Sequence, residues 1–247
     1  MGGMDTSPPF AALRVAVTGG TAGLGLALVR HLLARGARVA FVARHREAVA
    51  RLAAGHPRAH GIVGDISAKG DVYPIAMQIV GALGGLDVLV NNASDLGPVP
   101  LALLADTECE DFERALATNV LGPFRLTKAL LGSLAAAARE GTGAVVVNVS
   151  SDAGIAAYPG WGAYGASKAA LRHLSLIWHR ELETAGIHVL TLDPGDMDTA
   201  LHAVAVPDAD RSTLKDPATA AGELADAIAA ALAGRSTPAG LPDAGRS

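Results

Sequence analysis

Short apolar segments alternate with longer amphipathic segments along almost the whole chain, and no other feature constrains the fold as much. The short segments are rich in Val, Ile and Leu without regular polar/apolar alternation, which is the pattern of strands buried on both faces. They lie at residues 13–19, 37–43, 58–64, 86–92, 143–151 and 187–193. The segments between them have helical periodicity, at residues 23–35, 46–54, 71–83, 107–138, 163–185 and 217–233.

Repetition of strand, helix and strand predicts a doubly wound parallel α/β sheet that is covered by helices on both faces. Ligands bind such sheets at the carboxyl ends of the strands. The length of 247 residues suits one domain of this kind. We expect the domain to cover residues 11–233, with flexible tails at 1–10 and 234–247.

Charge and composition argue against several classes of function. The net charge is −4, and no Lys/Arg stripe is present that would bind nucleic acid or an anionic membrane surface. No segment approaches the roughly 20 apolar residues of a membrane span, and the first ten residues lack the pattern of a secretory signal. The only cysteine is Cys109, which excludes an internal disulfide and favours a cytoplasmic location. No Cys/His/carboxylate cluster has the spacing of a metal site.

A glycine-rich turn joins the first predicted strand to the first predicted helix in the pattern T-G-x-x-x-G-x-G. Its defining residues are Thr18, Gly19, Gly23 and Gly25, with Leu24 between the last two glycines. Glycine permits positive φ and lets the main chain approach a pyrophosphate, and the first N–H groups of the helix then face that anion. Its position between a strand and a helix favours a dinucleotide-binding turn over a purely structural one.

The spacing of this turn resembles that of the short-chain dehydrogenase/reductase family, and other motifs extend the resemblance over residues 13–233. The segment NNAS at 91–94 is similar to the family's N-N-A-G after the fourth strand. Asp65 follows the third strand, and Asn119 matches the helical catalytic asparagine of the family. The segment DPGDMDT at 193–199 resembles the family's P-G-x-x-x-T after the sixth strand.

The resemblance implies a Rossmann-type single domain that binds a nicotinamide dinucleotide. Beyond the glycine turn, the cofactor contacts that it implies are at Asp65, Ile66, Asn92, Ala93, Pro194, Gly195 and Thr199. Two features depart from the family pattern. Ser94 replaces the usual last glycine of N-N-A-G, which puts a Cβ near the path of the cofactor. The C-terminal segment offers no seventh strand, which argues against the family's tetramer contact and leaves a homodimer as the expected assembly.

Two tyrosines lie six residues apart in SSDAGIAAYPGWGAYGASKAAL, the segment at 150–171. Tyr164 and Lys168 are spaced i, i+4 and so share one face of a helix, whereas Tyr158 has a glycine at that spacing. Ser151 lies thirteen residues before Tyr164, as in the family's Ser…Tyr-x-x-x-Lys arrangement. Ser150, one residue earlier, would point to the opposite face.

The resemblance implies a catalytic set of Ser151, Tyr164, Lys168 and Asn119. Tyr164 exchanges a proton with the substrate oxygen, and Ser151 polarises that oxygen. Lys168 holds the nicotinamide ribose and lowers the phenol pKa, for which a shift of about 3 units requires about 4 kcal/mol. Asn119 anchors a water that relays protons to Lys168.

The end of the second strand indicates which dinucleotide binds. Enzymes that hold NAD usually place an acid there to bind the ribose 2′-hydroxyl, but this chain has Ala43 followed by Arg44. A guanidinium binds a 2′-phosphate through charge-assisted hydrogen bonds, and Arg46 could assist. The sequence therefore predicts NADP, with a solvated Arg44 and bound NAD as the alternative. The nearest acid, Glu47, falls within a predicted helix.

These observations predict an NADP(H)-dependent oxidoreductase that acts on a carbonyl/alcohol pair. Residues 196–217, with Leu96, Tyr158 and Trp161, predict a largely apolar substrate pocket in which His202 is a candidate contact. One alternative is a non-catalytic dinucleotide-binding module that senses redox state, which the presence of both Tyr164 and Lys168 disfavours. The other is the same chemistry with NAD(H).

Overall fold

The six predicted strands form one parallel sheet in the computed structural model, which describes residues 10–234. The strands are β1 (Arg14–Thr18), β2 (Arg38–Ala43), β3 (Ala59–Val63), β4 (Val88–Asn91), β5 (Ala144–Val149) and β6 (Ile187–Leu192). Their order in the sheet is β3-β2-β1-β4-β5-β6. Because the order reverses between β1 and β4, a crevice is expected between the carboxyl ends of these two strands.

Eight α-helices lie within the described residues, and the longer ones follow the predicted helical segments closely. They are α1 (Gly23–Ala34), α2 (Arg46–Ala54), α3 (Lys69–Leu83), α4 (Cys109–Leu116), α5 (Gly122–Arg139), α6 (Gly162–Leu182), α7 (Ala200–Ala205) and α8 (Pro217–Leu232). The chain is therefore a single domain of doubly wound α/β type, as the sequence predicts. No helix within residues 10–234 is long and apolar enough to cross a membrane.

Both faces of the sheet are buried, which explains why its strands lack polar/apolar alternation. Successive side chains of a strand point to opposite faces. On β1, Val15 and Val17 pack in the core that α1 and α8 cover, while Ala16 packs in the core that α3 and α5 cover. All three residues are fully buried. Because neither face of the sheet is exposed to solvent, the strands have no face on which polar residues are favoured. Polar side chains are therefore expected at the strand ends.

The predicted helix over 107–138 is interrupted by one π-helical turn at Ala117–Leu121. The chemical reason is Pro123, the second residue of α5, which has no N–H for the carbonyl of Asn119 four residues earlier. A π-helical turn is a common way to accommodate such a break, and such turns are frequent at functional sites. The interruption places Asn119, which is fully buried, at the join between α4 and α5.

The start of the domain differs from the sequence expectation. Phe10 was predicted to belong to the tail at 1–10, but its side chain is fully buried in the core and lies under the guanidinium of Arg35 at 5.4 Å. That part of the prediction is wrong, because a single aromatic residue can fill the space at the end of α1. The rest of both predicted tails, apart from Gly234, lies outside the described residues.

Candidate active site

Hydrogen bonds join the ends of β1 and β4 at the switch point. The Thr18 hydroxyl oxygen accepts the main-chain N–H groups of Asn92 and Ala93, each at 3.0 Å. The Asn92 side-chain amide donates to the Thr18 carbonyl at 2.8 Å. Thr18 is only 1% exposed and does not line the adjacent cavity. The side chain of Thr18 therefore holds the two strand ends together, and the predicted cofactor contact at Thr18 stays a prediction.

The glycine turn above this junction has the geometry of an anion site. Gly19 and Gly23 have φ values of 69° and 48°, which side chains other than glycine rarely adopt. A Cβ on Gly25 would collide with the carbonyl oxygen of Gly19. The N-cap of α1, Ala22, makes no side-chain capping bond, and the first turn contains no acid. The first N–H groups of α1 are thus left for a negatively charged ligand.

One cavity of about 830 Å³ runs along the carboxyl edge of the sheet, which is within the usual size range of small-molecule sites. It contains every predicted site residue except Thr18 and Asn119. The predicted residues that line it are Gly19, Gly23, Leu24, Gly25, Arg44, Asp65, Ile66, Asn92, Ala93, Ser151, Tyr164, Lys168, Pro194, Gly195 and Thr199. Among residues 10–234, no group of three or more His, Cys, Asp or Glu could hold a metal ion.

Helix α6 brings Tyr164 and Lys168 to the same wall of this cavity, as their spacing predicts. The Lys168 ammonium is buried, lies 5.4 Å from the centre of the Tyr164 ring and donates to the Val149 carbonyl at 2.8 Å. Burial lowers the pKa of Lys168 from 10.5 to about 8, and the nearby carboxylate of Asp193 opposes this shift. The ammonium has one acceptor from β5, which leaves donors for a ligand in the cavity.

The phenol of Tyr164 is subject to opposing influences. Burial raises its pKa, because a phenolate loses solvation in the protein interior. The neighbouring hydroxyls of Ser94 and Ser151 lower the pKa, while the carboxylates of Asp193 and Asp152 raise it further. The sequence predicts that Lys168 lowers the phenol pKa, whereas the groups that lower it in this structure are the hydroxyls of Ser94 and Ser151.

Ser151 and Tyr158 share a carboxylate that the sequence argument overlooked. The Ser151 hydroxyl donates to Asp152 Oδ1 at 3.0 Å, and the Tyr158 hydroxyl donates to Asp152 Oδ2 at 2.9 Å. The bond to Asp152 raises the pKa of Tyr158, which therefore stays neutral. Ser150 is buried, and its hydroxyl has no hydrogen-bond partner within the described residues. Ser151 is thus the serine beside Tyr164.

Asn119 lies behind the cavity wall, and both polar atoms of its side chain are fully hydrogen-bonded. Its amide nitrogen donates to the Asp95 carbonyl at 2.7 Å and to the Ser167 hydroxyl at 2.8 Å. Its Oδ1 accepts the Asp95 N–H at 2.8 Å and the Ser94 hydroxyl at 3.2 Å. This side chain cannot also hold the predicted water.

Arg44 lies at the part of the cavity formed by the end of β2. It is exposed, lines the cavity and precedes the exposed residue Arg46, which does not line it. Glu47 lies in the first turn of α2, as predicted, and does not line the cavity. Strands β2 and β5, which precede Arg44 and Ser151, are separated in the sheet by β1 and β4.

Comparison with known proteins identifies the family. A family model described as short chain dehydrogenase matches residues 14–210. The chain belongs to the short-chain dehydrogenase/reductase family. A 2-(R)-hydroxypropyl-CoM dehydrogenase of Xanthobacter autotrophicus is 33% identical over 190 residues, which are 75% of this chain and 74% of the relative.

Two solved structures illustrate the similarity in three dimensions. The NADPH-bound carbonyl reductase from chicken fatty liver matches with a TM-score of 0.78 and 26% identity, over 88% of this chain and 91% of that chain. A 3-ketoacyl-(acyl-carrier-protein) reductase from Brucella melitensis, complexed with NADH, matches with a TM-score of 0.81 and 26% identity, over 87% and 90%.

As a short-chain dehydrogenase/reductase, the chain is an oxidoreductase that binds a nicotinamide dinucleotide. The residues present fit such a cofactor. The uncapped start of α1 suits the pyrophosphate, and the positive φ of Gly19 and Gly23 lets the main chain approach it. The buried ammonium of Lys168 has donors left for ribose hydroxyls. Asp65 Oδ1 already accepts two bonds from Ser67, so its other oxygen is the one that could contact the adenine.

Sequence reasoning missed three polar residues of the site. Asp152 and Asp193 directly follow Ser151 and the sixth strand, so their place at strand ends was a usable signal. Ser94 was noticed only as a departure from the family pattern. Nothing in its spacing indicates that its hydroxyl reaches Tyr164, because that contact depends on how α6 packs against the end of β4.

Lys168→Met should remove a pH dependence from the stability of the cofactor-free protein. Because folding lowers the pKa of Lys168 from 10.5 to about 8, the unfolded chain binds more protons between these values. The free energy of unfolding of the wild type therefore gains about 3 kcal/mol as pH rises through that window, whereas the variant lacks this gain. Urea unfolding at a series of pH values measures the difference. Lys128→Met, an exposed change on α5, should retain the wild-type profile.

Proposed function

We propose that this protein is an NADP(H)-dependent oxidoreductase that interconverts a carbonyl and an alcohol, with Tyr164 as the general acid/base. The observation that carries the proposal is the placement of Ser151, Tyr164 and Lys168 on the same cavity as Arg44, which lies at the part formed by the end of β2. This arrangement suits a dinucleotide with its nicotinamide beside Tyr164 and its adenosine ribose beside Arg44. We also propose a cytoplasmic location, which the lone thiol of Cys109 favours.

The residues divide the chemistry among themselves. When bound, the reduced nicotinamide supplies a hydride to the substrate carbonyl carbon. Tyr164 gives its phenolic proton to the carbonyl oxygen, and takes a proton back in the oxidative direction. Ser151 donates a hydrogen bond to the same oxygen, for which its hydroxyl must rotate away from Asp152. Asp152 then retains the N–H of Ala153 and the hydroxyl of Tyr158.

The preference for NADP rests on charge at the end of β2. Arg44 is exposed on the cavity, and Ala43 occupies the place where an acid would bind a ribose 2′-hydroxyl. His45 also lines this part of the cavity. A 2′-phosphate would meet a guanidinium here and no carboxylate of β2, which favours the phosphorylated cofactor. The two similar structures carry NADPH in one case and NADH in the other, so this local charge is the basis of the assignment.

The substrate end of the cavity favours a largely apolar carbonyl or alcohol. Apolar and aromatic side chains line it beyond Tyr164: Leu96, Tyr158, Trp161, Met197, Leu201, Ala205 and Val206. The rings of Trp161 and Tyr164 meet edge to face, with their centres 5.7 Å apart. His202 lines the same region, and its Nε2 lies 3.8 Å from Asp196, which leaves it as a candidate polar contact.

Replacing each pocket tyrosine in turn tests the proposed acid/base. Tyr164→Phe should lower kcat by about a hundredfold or more on any accepted ketone, aldehyde or alcohol, because the proton donor is lost. Binding of NADPH, followed by fluorescence titration, should persist. Tyr158→Phe, the matched control, should change KM more than kcat because its hydroxyl binds Asp152. Equal loss of kcat in both variants would contradict the assignment of Tyr164 as the acid/base. A wild type that binds NADPH but converts no compound of a broad panel would favour the redox-sensing module.

Arg44→Asp tests the cofactor preference by removing an attractive charge and adding a repulsive one. A charge-assisted contact contributes about 1.5–3 kcal/mol, so NADPH should bind about ten- to a hundredfold more weakly. NADH affinity and turnover at saturating cofactor should change little. Titrations of both cofactors at one fixed ionic strength measure the ratio. Arg46→Asp makes the same charge change at a residue that does not line the cavity, and an equal effect there would show that only the general field is involved.

We propose that the protein assembles as a homodimer through α5 and α6. Leu121 and Ile177 are 41% and 44% exposed on this side of the molecule, where the rings of Phe124 and Trp178 also meet with their centres 5.9 Å apart. In a two-fold interface the same helical face meets its own copy, so one substitution acts twice.

Ile177→Asp should therefore shift the particle mass from dimer to monomer in light scattering, because two buried carboxylates would face an apolar interface. Met77→Asp is the matched control, since Met77 is 74% exposed on α3, outside the proposed interface, and should leave the mass unchanged. A wild type that is monomeric at micromolar concentration would refute the assembly.

A further inference from the structure

The residue that departs from the family pattern, Ser94, lies where its hydroxyl reaches two functional groups. It follows β4, lines the cavity and donates to Asn119 Oδ1 at 3.2 Å. The same hydroxyl lies beside the phenol of Tyr164 and lowers the pKa of that phenol. The usual glycine at this position would have no side chain to make either contact, so this chain has a polar group beside the reacting oxygen that the common motif lacks.

The bond from Ser94 to Asn119 can be given up at low cost. Asn119 Oδ1 also accepts the N–H of Asp95 at 2.8 Å, which is shorter than the 3.2 Å bond from Ser94. If the Ser94 hydroxyl turned away, this buried oxygen would keep a partner and avoid the penalty of an unsatisfied acceptor. The other bonds of Asn119, to Asp95 and Ser167, hold its amide in place throughout.

The hydroxyl of Ser151, the second one beside the phenol, is less free to turn toward a phenolate. Ser151 donates to the carboxylate of Asp152 at 3.0 Å, which is a charge-assisted bond and stronger than a bond to a neutral amide oxygen. In the proposed reaction, Ser151 also serves the substrate oxygen. The donor that remains available to a newly formed phenolate is therefore Ser94.

We propose that Ser94 is a catalytic residue that donates its hydrogen bond to the Tyr164 oxygen whenever that oxygen is a phenolate. In the reductive direction, the O–H bond of Tyr164 breaks as its proton passes to the substrate oxygen. Ser94 then rotates from Asn119 to the phenolate and keeps its own proton, so no bond of Ser94 breaks. Protonation of the phenolate from solvent reverses the rotation. This inference rests on the proposed role of Tyr164.

The effect should appear as a shift in a pH profile. Groups with charge around the phenol are Lys168 on α6, Asp152 after β5 and Asp193 after β6, and none of these changes in a Ser94 variant. A hydrogen bond to a charged group contributes enough to move a titration by about one to two pH units. Because Ser94 stabilises the phenolate, its removal should move the titration of Tyr164 to higher pH.

The kinetic test measures kcat for oxidation of the alcohol that the wild type converts fastest, as a function of pH. Ser94→Ala and Ser94→Gly should both move the rise of kcat upward by about one to two pH units. Below the midpoint, kcat should fall about ten- to a hundredfold. Equal shifts in both variants would assign the effect to the hydroxyl, since alanine keeps the Cβ and glycine does not. An unchanged midpoint in both, with Tyr164→Phe inactive, would overturn the role of Ser94 alone.

A spectroscopic test is independent of turnover. The chain has three tyrosines, so Tyr73→Phe and Tyr158→Phe leave Tyr164 as the only source of tyrosinate absorbance. In that background, Ser94→Ala should raise the midpoint of the ultraviolet titration by the same amount. Ser175→Ala is the control, because it removes a buried hydroxyl of α6 that bonds to Asn148 and not to the phenol. An equal shift of the titration midpoint in the control would show that the effect is structural and would overturn the role of Ser94. If Ser94→Ala shifts the midpoint in a protein that converts no substrate, this inference stands while the proposed function fails.

Discussion

The hydrogen-bonded junction between the ends of β1 and β4 determines the shape of the whole site. Thr18 and Asn92 hold these strand ends together at the point where the strand order reverses. The glycine turn rests on this junction, and a Cβ on Gly25 would collide with the Gly19 carbonyl. The start of α1 therefore has a fixed position relative to the ends of β1 and β4. Because the cofactor half of the cavity consists of strand ends and one helix start, its geometry follows from the fold itself.

Burial of the proposed catalytic groups shifts their pKa values away from the charged forms. Lys168 is buried with a single acceptor, and burial raises the pKa of Tyr164 while it lowers that of Lys168. Without a cofactor, both shifts disfavour the charged forms that the chemistry requires. Asp193 moves the Lys168 pKa upward, and the hydroxyls of Ser94 and Ser151 move the Tyr164 pKa downward. A cofactor whose ribose accepts hydrogen bonds from Lys168 would also raise the pKa of Lys168. Cofactor binding would thus favour the charged lysine that the proposed chemistry requires.

The sequence was sufficient for features that depend on local periodicity. The two-faced burial of strands such as β1 and the shared helix face of Tyr164 and Lys168 follow from spacing alone. It was insufficient where tertiary packing decides the role of a residue. Thr18 appears in a cofactor motif, yet its hydroxyl oxygen accepts the main-chain N–H groups of Asn92 and Ala93, just past the end of β4. Asn119 matches a catalytic position, yet its side chain is saturated by bonds to other loops and helices.

The proposed substrate half of the cavity is built differently from the proposed cofactor half. Its outer wall is the segment at 196–215, which is held in part by its own hydrogen bonds. The main chains of Asp196 and Asp198 bond with Lys215 at 2.9 and 3.0 Å, and Arg211 binds the Asp198 carboxylate through two bonds of 2.9 Å. Two of its side chains also pack against the cores beneath, Met197 on the core around β1 and Ala205 on the cluster of Leu96, Ala153 and Tyr164. The difference between the two halves explains why the cofactor and the proton donor can be inferred from fold and spacing, whereas substrate identity depends on a loop whose shape is set in part by its own contacts.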